Sequence, residues 1–260
     1  MFMSRQNTEL KAMARTRLKV GLIGCGAIGT VLAQAIARKM VVCEELVIYD
    51  ADASRAQKLK DALDFPVVMV DSVDALLAKE PKVVVEAASQ QAVRDYAAKI
   101  VSSQILLIVM STGALLGLDV DLSRVHFPSG AIGGLDALSS AALAGINEVI
   151  LTSRKNPKAL GRVNQGEETV YLGSAEEATK LFPREMNVAA TLALTVKPVK
   201  VKVQVISDPK VSRNTHEILA KWQFGEMLLH FENDPHPDNP HTSALAAWSA
   251  IKLLQTLLTK

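Results

Sequence analysis

The sequence predicts an α/β fold: a doubly wound parallel sheet, then a second, α+β domain built on an open mixed or antiparallel sheet. Three observations carry this expectation. Hydrophobic runs alternate with helix-like segments from residue 18 to 110, a glycine loop joins the first run to the first helix, and the composition is 49% hydrophobic but only 4% aromatic. A core of Ala, Val, Leu and Ile is what buried parallel strands covered by helices require.

The elements follow in order. Residues 18–23 read as a buried strand and 30–38 as a helix, with Gly24-Cys25-Gly26-Ala27-Ile28-Gly29 between them. Strands at 45–50, 67–70, 83–86 and 105–110 alternate with helical stretches at 51–62, 72–79 and 90–102, giving five parallel strands. From residue 125 the texture changes. Phe127-Pro128-Ser129-Gly130-Ala131-Ile132-Gly133-Gly134 is glycine-rich, and the later β-like runs at 148–153, 199–207 and 226–231 lack regular helical partners. Past the Pro/Asp/Asn stretch at 234–240, residues 242–258 show helical spacing and are expected to pack back on the first domain. The expected organisation is a flexible extension at 1–17, a first, α/β domain at 18–125 completed by the helix at 241–260, and a second, α+β domain at 126–240.

Composition excludes several classes. With 29 basic and 27 acidic residues the net charge is +2, too small for an electrostatic grip on nucleic acid. The longest aliphatic run, 105–110, falls far short of the about 20 residues a membrane helix needs. Cys25 and Cys43 are the only cysteines and suggest neither a disulfide scaffold nor a metal site, so a reducing cytoplasm is the expected compartment. The first 17 residues lack the apolar segment of a secretory signal.

The glycine loop carries the clearest chemistry, because it stands between a strand and a helix. Gly24 permits the tight turn, Gly26 lets backbone approach a pyrophosphate, and Gly29 lets helix and strand pack closely, the Rossmann arrangement. Ala27 and Ile28 lie between them at the helix N-terminus. Asp50, 21 residues after Gly29, ends the second strand, where its carboxylate can accept the ribose hydroxyls of an adenosine. A carboxylate there argues for NAD, while the nearby Arg55 and Arg38 leave NADP open. Cys25 is read as a small loop filler rather than a reactive thiol. Ala88-Ser89 and Ser111-Thr112-Gly113-Ala114 follow the fourth and fifth strands, at the carboxyl ends where such sheets place ligands.

All five histidines lie from residue 126 onward, beyond the five predicted parallel strands. His230, His236 and His241 surround the Pro/Asp/Asn loop and read as solvated loop residues; no metal is expected. Asn214-Thr215-His216-Glu217-Ile218 looks like a helix start capped by Ser212 or Asn214, on which His216 either faces a cleft as a proton carrier or sits on the surface beside Glu217.

Five segments in combination resemble the L-aspartate dehydrogenases of the pyridine-nucleotide pathway. They are Val20-Gly21-Leu22-Ile23-Gly24-Cys25-Gly26-Ala27-Ile28-Gly29, Pro128 through Asp136, Phe182-Pro183-Arg184-Glu185-Met186-Asn187-Val188-Ala189-Ala190, Asp208-Pro209 leading to His216-Glu217-Ile218, and Glu232-Asn233 through Asn239-Pro240-His241-Thr242-Ser243-Ala244-Leu245. The resemblance implies a Rossmann domain, a catalytic domain on an open sheet and a homodimer. It also implies that Ala131 and Asn187 approach the nicotinamide end of the cofactor and that His216 is the acid/base. L-Aspartate is then the substrate, oxidised to an imine that is hydrolysed to oxaloacetate and ammonia or handed on to quinolinate synthase. Its two carboxylates need donors, for which Thr242, Ser243, the backbone at Gly113 and Ala114, and cations such as Arg154 or Lys155 are available. His241 departs from the family, which often has Lys or Arg before the Thr-Ser pair. Two rivals share the architecture: another imine reductase such as a dihydrodipicolinate reductase, whose paired histidines and Ser-Gly-Thr loop are not visible, and a non-catalytic dinucleotide sensor.

Overall fold

The computed structural model describes residues 18–236 and 239–259. The extension at 1–17, Pro237 and Asp238 lie outside the described residues. Five strands alternate with four helices as expected: β1 (Lys19–Ile23), α1 (Ala27–Ala37), β2 (Glu45–Tyr49), α2 (Ala53–Asp61), β3 (Val67–Met69), α3 (Val73–Leu77), β4 (Val83–Glu86), α4 (Gln90–Ser102) and β5 (Leu106–Val109). A short sixth strand, β6 (Val125–His126), pairs with β5 and extends the sheet. The order is β3-β2-β1-β4-β5-β6, parallel throughout. Between β1 and β4 the winding reverses, opening a crevice at the strand carboxyl ends.

Gly29 sets how closely α1 lies on β1. A Cβ there would fall 2.0 Å from the Gly24 carbonyl oxygen, a backbone atom that cannot step aside. Gly29→Ala is therefore expected to lower stability by about 1–3 kcal/mol, read as a drop in the thermal midpoint. An unchanged midpoint would show that the loop absorbs a methyl group.

The second half differs from the sequence expectation in two ways. Its strands do have helical partners: α5 (Leu135–Ala144) precedes β7 (Ile146–Lys155), and β8 (Glu168–Ser174) leads into α6 (Ala175–Leu181) and α7 (Asn187–Thr195). These helices pack on one face of the sheet through Leu138, Ala175, Ala189 and Leu192. Of these, α5 and α7 carry almost no charge and little polar face, so they lack the amphipathic contrast that marks a surface helix.

The second correction concerns His216, which lies on a strand. After β9 (Val201–Ser207), residues 214–222 form β10 (Asn214–Trp222) and turn into β11 (Gly225–Asn233). Asn214, His216, Ile218 and Ala220 are buried while Glu217 and Lys221 are exposed, a period of two that overrides the apparent cap. The sheet order is β11-β10-β7-β9-β8, with only β7 and β9 parallel, so the open sheet is mixed.

A two-stranded ribbon, β12 (Pro235–His236) and β13 (Asn239–Ser243), brings the chain back to α8 (Ala244–Leu258). Ala246, Ala250, Leu254 and Leu258 make a buried stripe at i, i+4 spacing against Leu32, Ala33 and Ile36 of α1. The last helix thus belongs to the first core.

Candidate active site

A cleft of about 820 Å³ runs along the crevice, its walls including Gly26, Ala27, Ile28, Ala88, Ser89 and Asn187. Gly26 caps α1 without any side-chain hydrogen bond, and a Cβ placed on it would meet nothing within 4 Å. The first N–H groups of α1 are therefore approachable by an anion. Gly24, at φ +99°, holds a turn that L side chains avoid. These features fit the pyrophosphate of a dinucleotide.

Asp50 anchors this loop from the second strand. Its Oδ2 accepts the Cys25 N–H at 2.7 Å and its Oδ1 the Asp52 N–H at 2.8 Å. Arg55 borders the cleft, whereas Arg38 faces a separate hollow beside Trp248. Burial, then Asp50, pushes the Cys25 thiol up to about 12, so it stays protonated and inert as read from sequence.

Sequence reading passed over Glu86, the last residue of β4. It is 2% exposed, yet its carboxylate accepts hydrogen bonds from the Ala88 N–H (2.8 Å), Ser89 N–H (2.9 Å), Ser111 N–H (3.0 Å) and Ser111 hydroxyl (2.9 Å). Burial pushes this carboxyl up, while all four bonds favour its ionised form. One side chain thus fixes both loops that follow β4 and β5 at the cleft. An acid ending an otherwise apolar strand was the available signal.

Beyond the cleft lies an inner cavity of about 60 Å³, bordered by Ala131, Lys155, His216, Thr242 and Ser243. His216 is 1% exposed, and its Nδ1 lies 2.9 Å from the Ser153 hydroxyl, its partner across the β7–β10 pairing. Burial, then the charge of Lys155, lowers its pKa to about 3. It is a neutral imidazole at any ordinary pH. Lys155 is itself 2% exposed, and burial lowers its ammonium to about 8 against the opposing pull of Glu185.

Asn187 joins the two halves. Its Oδ1 accepts the Gly113 N–H at 3.3 Å, its carbonyl accepts the Thr112 hydroxyl at 2.9 Å, and the Thr191 hydroxyl donates to Thr112 at 3.1 Å. The structure therefore brings His216, Ala131, Asn187, Thr242 and Ser243 to one cavity. It does not bring Gly113 and Ala114 there. They sit behind Thr112 with their N–H groups used by Asn187 and by the Ser111 carbonyl, so those donors are not open to a substrate. Arg154 points the other way, paired with Glu167 and Asp208.

The remaining histidines are also partly corrected. His230 stands on β11 beside Glu217 and Glu232, and His236 is buried at 7% exposure rather than solvated. The side chain of His241 lies outside the described residues. Among the described residues no group of three His, Cys, Asp or Glu could hold a metal ion, and no helix is long and apolar enough to cross a membrane.

Fold and site together define a two-domain oxidoreductase that uses a nicotinamide dinucleotide. The NAD-binding-domain model of homoserine dehydrogenase matches residues 24–126, and the aspartate dehydrogenase C-terminal model matches residues 136–257. The chain belongs to the L-aspartate dehydrogenase family. It is 40% identical over 250 residues to the L-aspartate dehydrogenase of Methanothermobacter thermautotrophicus, covering 92% of this chain and 96% of the relative. With that of Archaeoglobus fulgidus the identity is 43% over 249 residues, covering 92% and 97%. The crystal structure of aspartate dehydrogenase from Thermotoga maritima superimposes with a TM-score of 0.71 at 33% identity, covering 92% of this chain and 96% of that one.

Proposed function

We propose that this chain oxidises L-aspartate at Cα with NAD(P). The observation that carries the reading is a neutral, buried His216 sharing a small cavity with the ammonium of Lys155, at the inner end of the dinucleotide cleft. The bound dinucleotide supplies a hydride acceptor. Gly26 and the α1 N-terminus hold its pyrophosphate, Asp50 its adenosine ribose, and Ala131 with Asn187 border its nicotinamide end. Asp50 favours NAD, and Arg55 is the arginine placed to meet a 2′-phosphate.

The substrate reacts as its neutral amine, losing the Cα hydride to give an iminium. His216 then serves the second half of the reaction. With Nδ1 on Ser153, the other ring nitrogen takes a proton from the water that adds to the iminium carbon. Returning that proton as the C–N bond breaks releases ammonia and oxaloacetate. Alternatively the imine leaves intact and is handed to quinolinate synthase for pyridine-nucleotide synthesis.

The family resemblance supports a homodimer, and the two free cysteines support a reducing, cytoplasmic compartment. The open sheet face supports pairing too, since Leu228, Leu219 and Ile150 align across β11, β10 and β7, with Leu228 64% exposed. A monomer mass in sedimentation would rule that out. The activity is tested by offering NAD or NADP with a panel of amino acids and following nicotinamide absorbance. Reduction with aspartate is expected; tight NADH binding without turnover of any amino acid would instead mark a sensor.

A further inference from the structure

We propose that Lys155 anchors a carboxylate of the amino-acid substrate in the inner cavity. This rests on the aspartate reading above and goes beyond it by naming the residue that holds the acid group. The alternation of β7 decides between the two cations that end it. Arg154 turns to the open face and is neutralised by Glu167 and Asp208, whereas Lys155 turns with Ser153 to the buried face and reaches the cavity wall.

The groups around Lys155 come from each neighbouring element. His216 faces it from β10, and Glu185 and Arg184 border the cavity from the segment before α7. The Glu185 carbonyl lies 3.5 Å from Nζ. On the β9 side, Asp208 donates its N–H to the Lys155 carbonyl, but its carboxylate is turned to Arg154. Thr242 and Ser243 complete the wall with hydroxyls. A buried ammonium that shares its cavity with two hydroxyls suits a carboxylate, whose charge would add to that of Glu185 in offsetting the desolvation of the lysine. The same pairing cancels the positive charge that, after burial, suppresses protonation of His216, so the histidine becomes a stronger base once substrate is in place.

Succinate, a dicarboxylate without an amine, isolates the anchor from the chemistry. Its binding to the NADH complex is read by nicotinamide fluorescence, and its inhibition constant against aspartate by turnover. In the unmodified protein, succinate affinity is expected to fall about tenfold per pH unit above about pH 8, as the ammonium loses its proton. Lys155→Met should weaken succinate and raise the aspartate KM about 30-fold or more, with NADH affinity unchanged; Lys155→Arg should keep its succinate affinity above pH 8. Succinate affinity that stays flat from about pH 7 to about pH 9.5 in the unmodified protein would overturn the proposal even if neither variant folds. So would a folded Lys155→Met protein with unaltered succinate binding. Absence of aspartate oxidation would sink the activity reading alone, since succinate binding still reports the anchor.

Discussion

Replacing His216 with alanine is expected to cut turnover of L-aspartate by about 100-fold or more while leaving NADH affinity essentially unchanged. The ring borders the inner cavity, and the cleft walls that hold the dinucleotide are built from other elements, so the loss should appear in kcat. The pH dependence follows from the burial of the ring. Because His216 in the free protein has a pKa of about 3 rather than 6.5, the fall of kcat/KM with falling pH that the substrate ammonium imposes should show no additional bend near pH 6.5. Stability carries the same signature. A folded pKa below the unfolded value makes the histidine's contribution present above about pH 6.5 and lost progressively as pH falls toward about 3. His216→Ala should flatten that part of the acid-unfolding curve. Unchanged turnover would remove His216 from the chemistry.

The second large effect is expected at Glu86. Truncation to alanine strands three backbone N–H groups and a hydroxyl in a buried site, each costing about 1–3 kcal/mol if unpaired. The milder Glu86→Gln turns an amide NH2 toward donors and should still misplace Ala88 and Ser89 at the cofactor cleft. The expected result is a KM for NAD raised about tenfold or more, with the aspartate KM little changed. A variant that melts lower but keeps its cofactor KM would make Glu86 a stability residue only.

These residues show where sequence reading stops. The first sheet was legible because each parallel strand is a short apolar run closed by its own loop, and Gly24, Gly26, Gly29 and Asp50 stand at fixed spacing. The mixed sheet was harder. Asn214-x-x-Glu217 imitates a capping pattern, so a strand looked like a helix, although Asn214, His216, Ile218 and Ala220 already alternated with Thr215, Glu217 and Lys221. Helix α5, with Leu-Asp-Ala-Leu-Ser-Ser-Ala-Ala-Leu-Ala, shows little face contrast because its exposed side is made mostly of Ala, Ser and Leu143 rather than charged residues. For the site, the family segments gave His216, Asn187 and Ala131. Lys155 and Arg154 were indistinguishable, since neighbours on a strand point to opposite faces and the sequence does not say which face is buried. Glu86 shows the same limit, because its partners lie 2, 3 and 25 residues away and meet only once β4 and β5 pair.

The most direct test of the central reading is transfer of deuterium from L-aspartate labelled at Cα. Incubated with the protein and NAD or NADP, it should yield reduced cofactor carrying one deuterium at nicotinamide C4, in step with oxaloacetate or its imine. Reduced cofactor without deuterium, or none formed with aspartate at any pH, would contradict it.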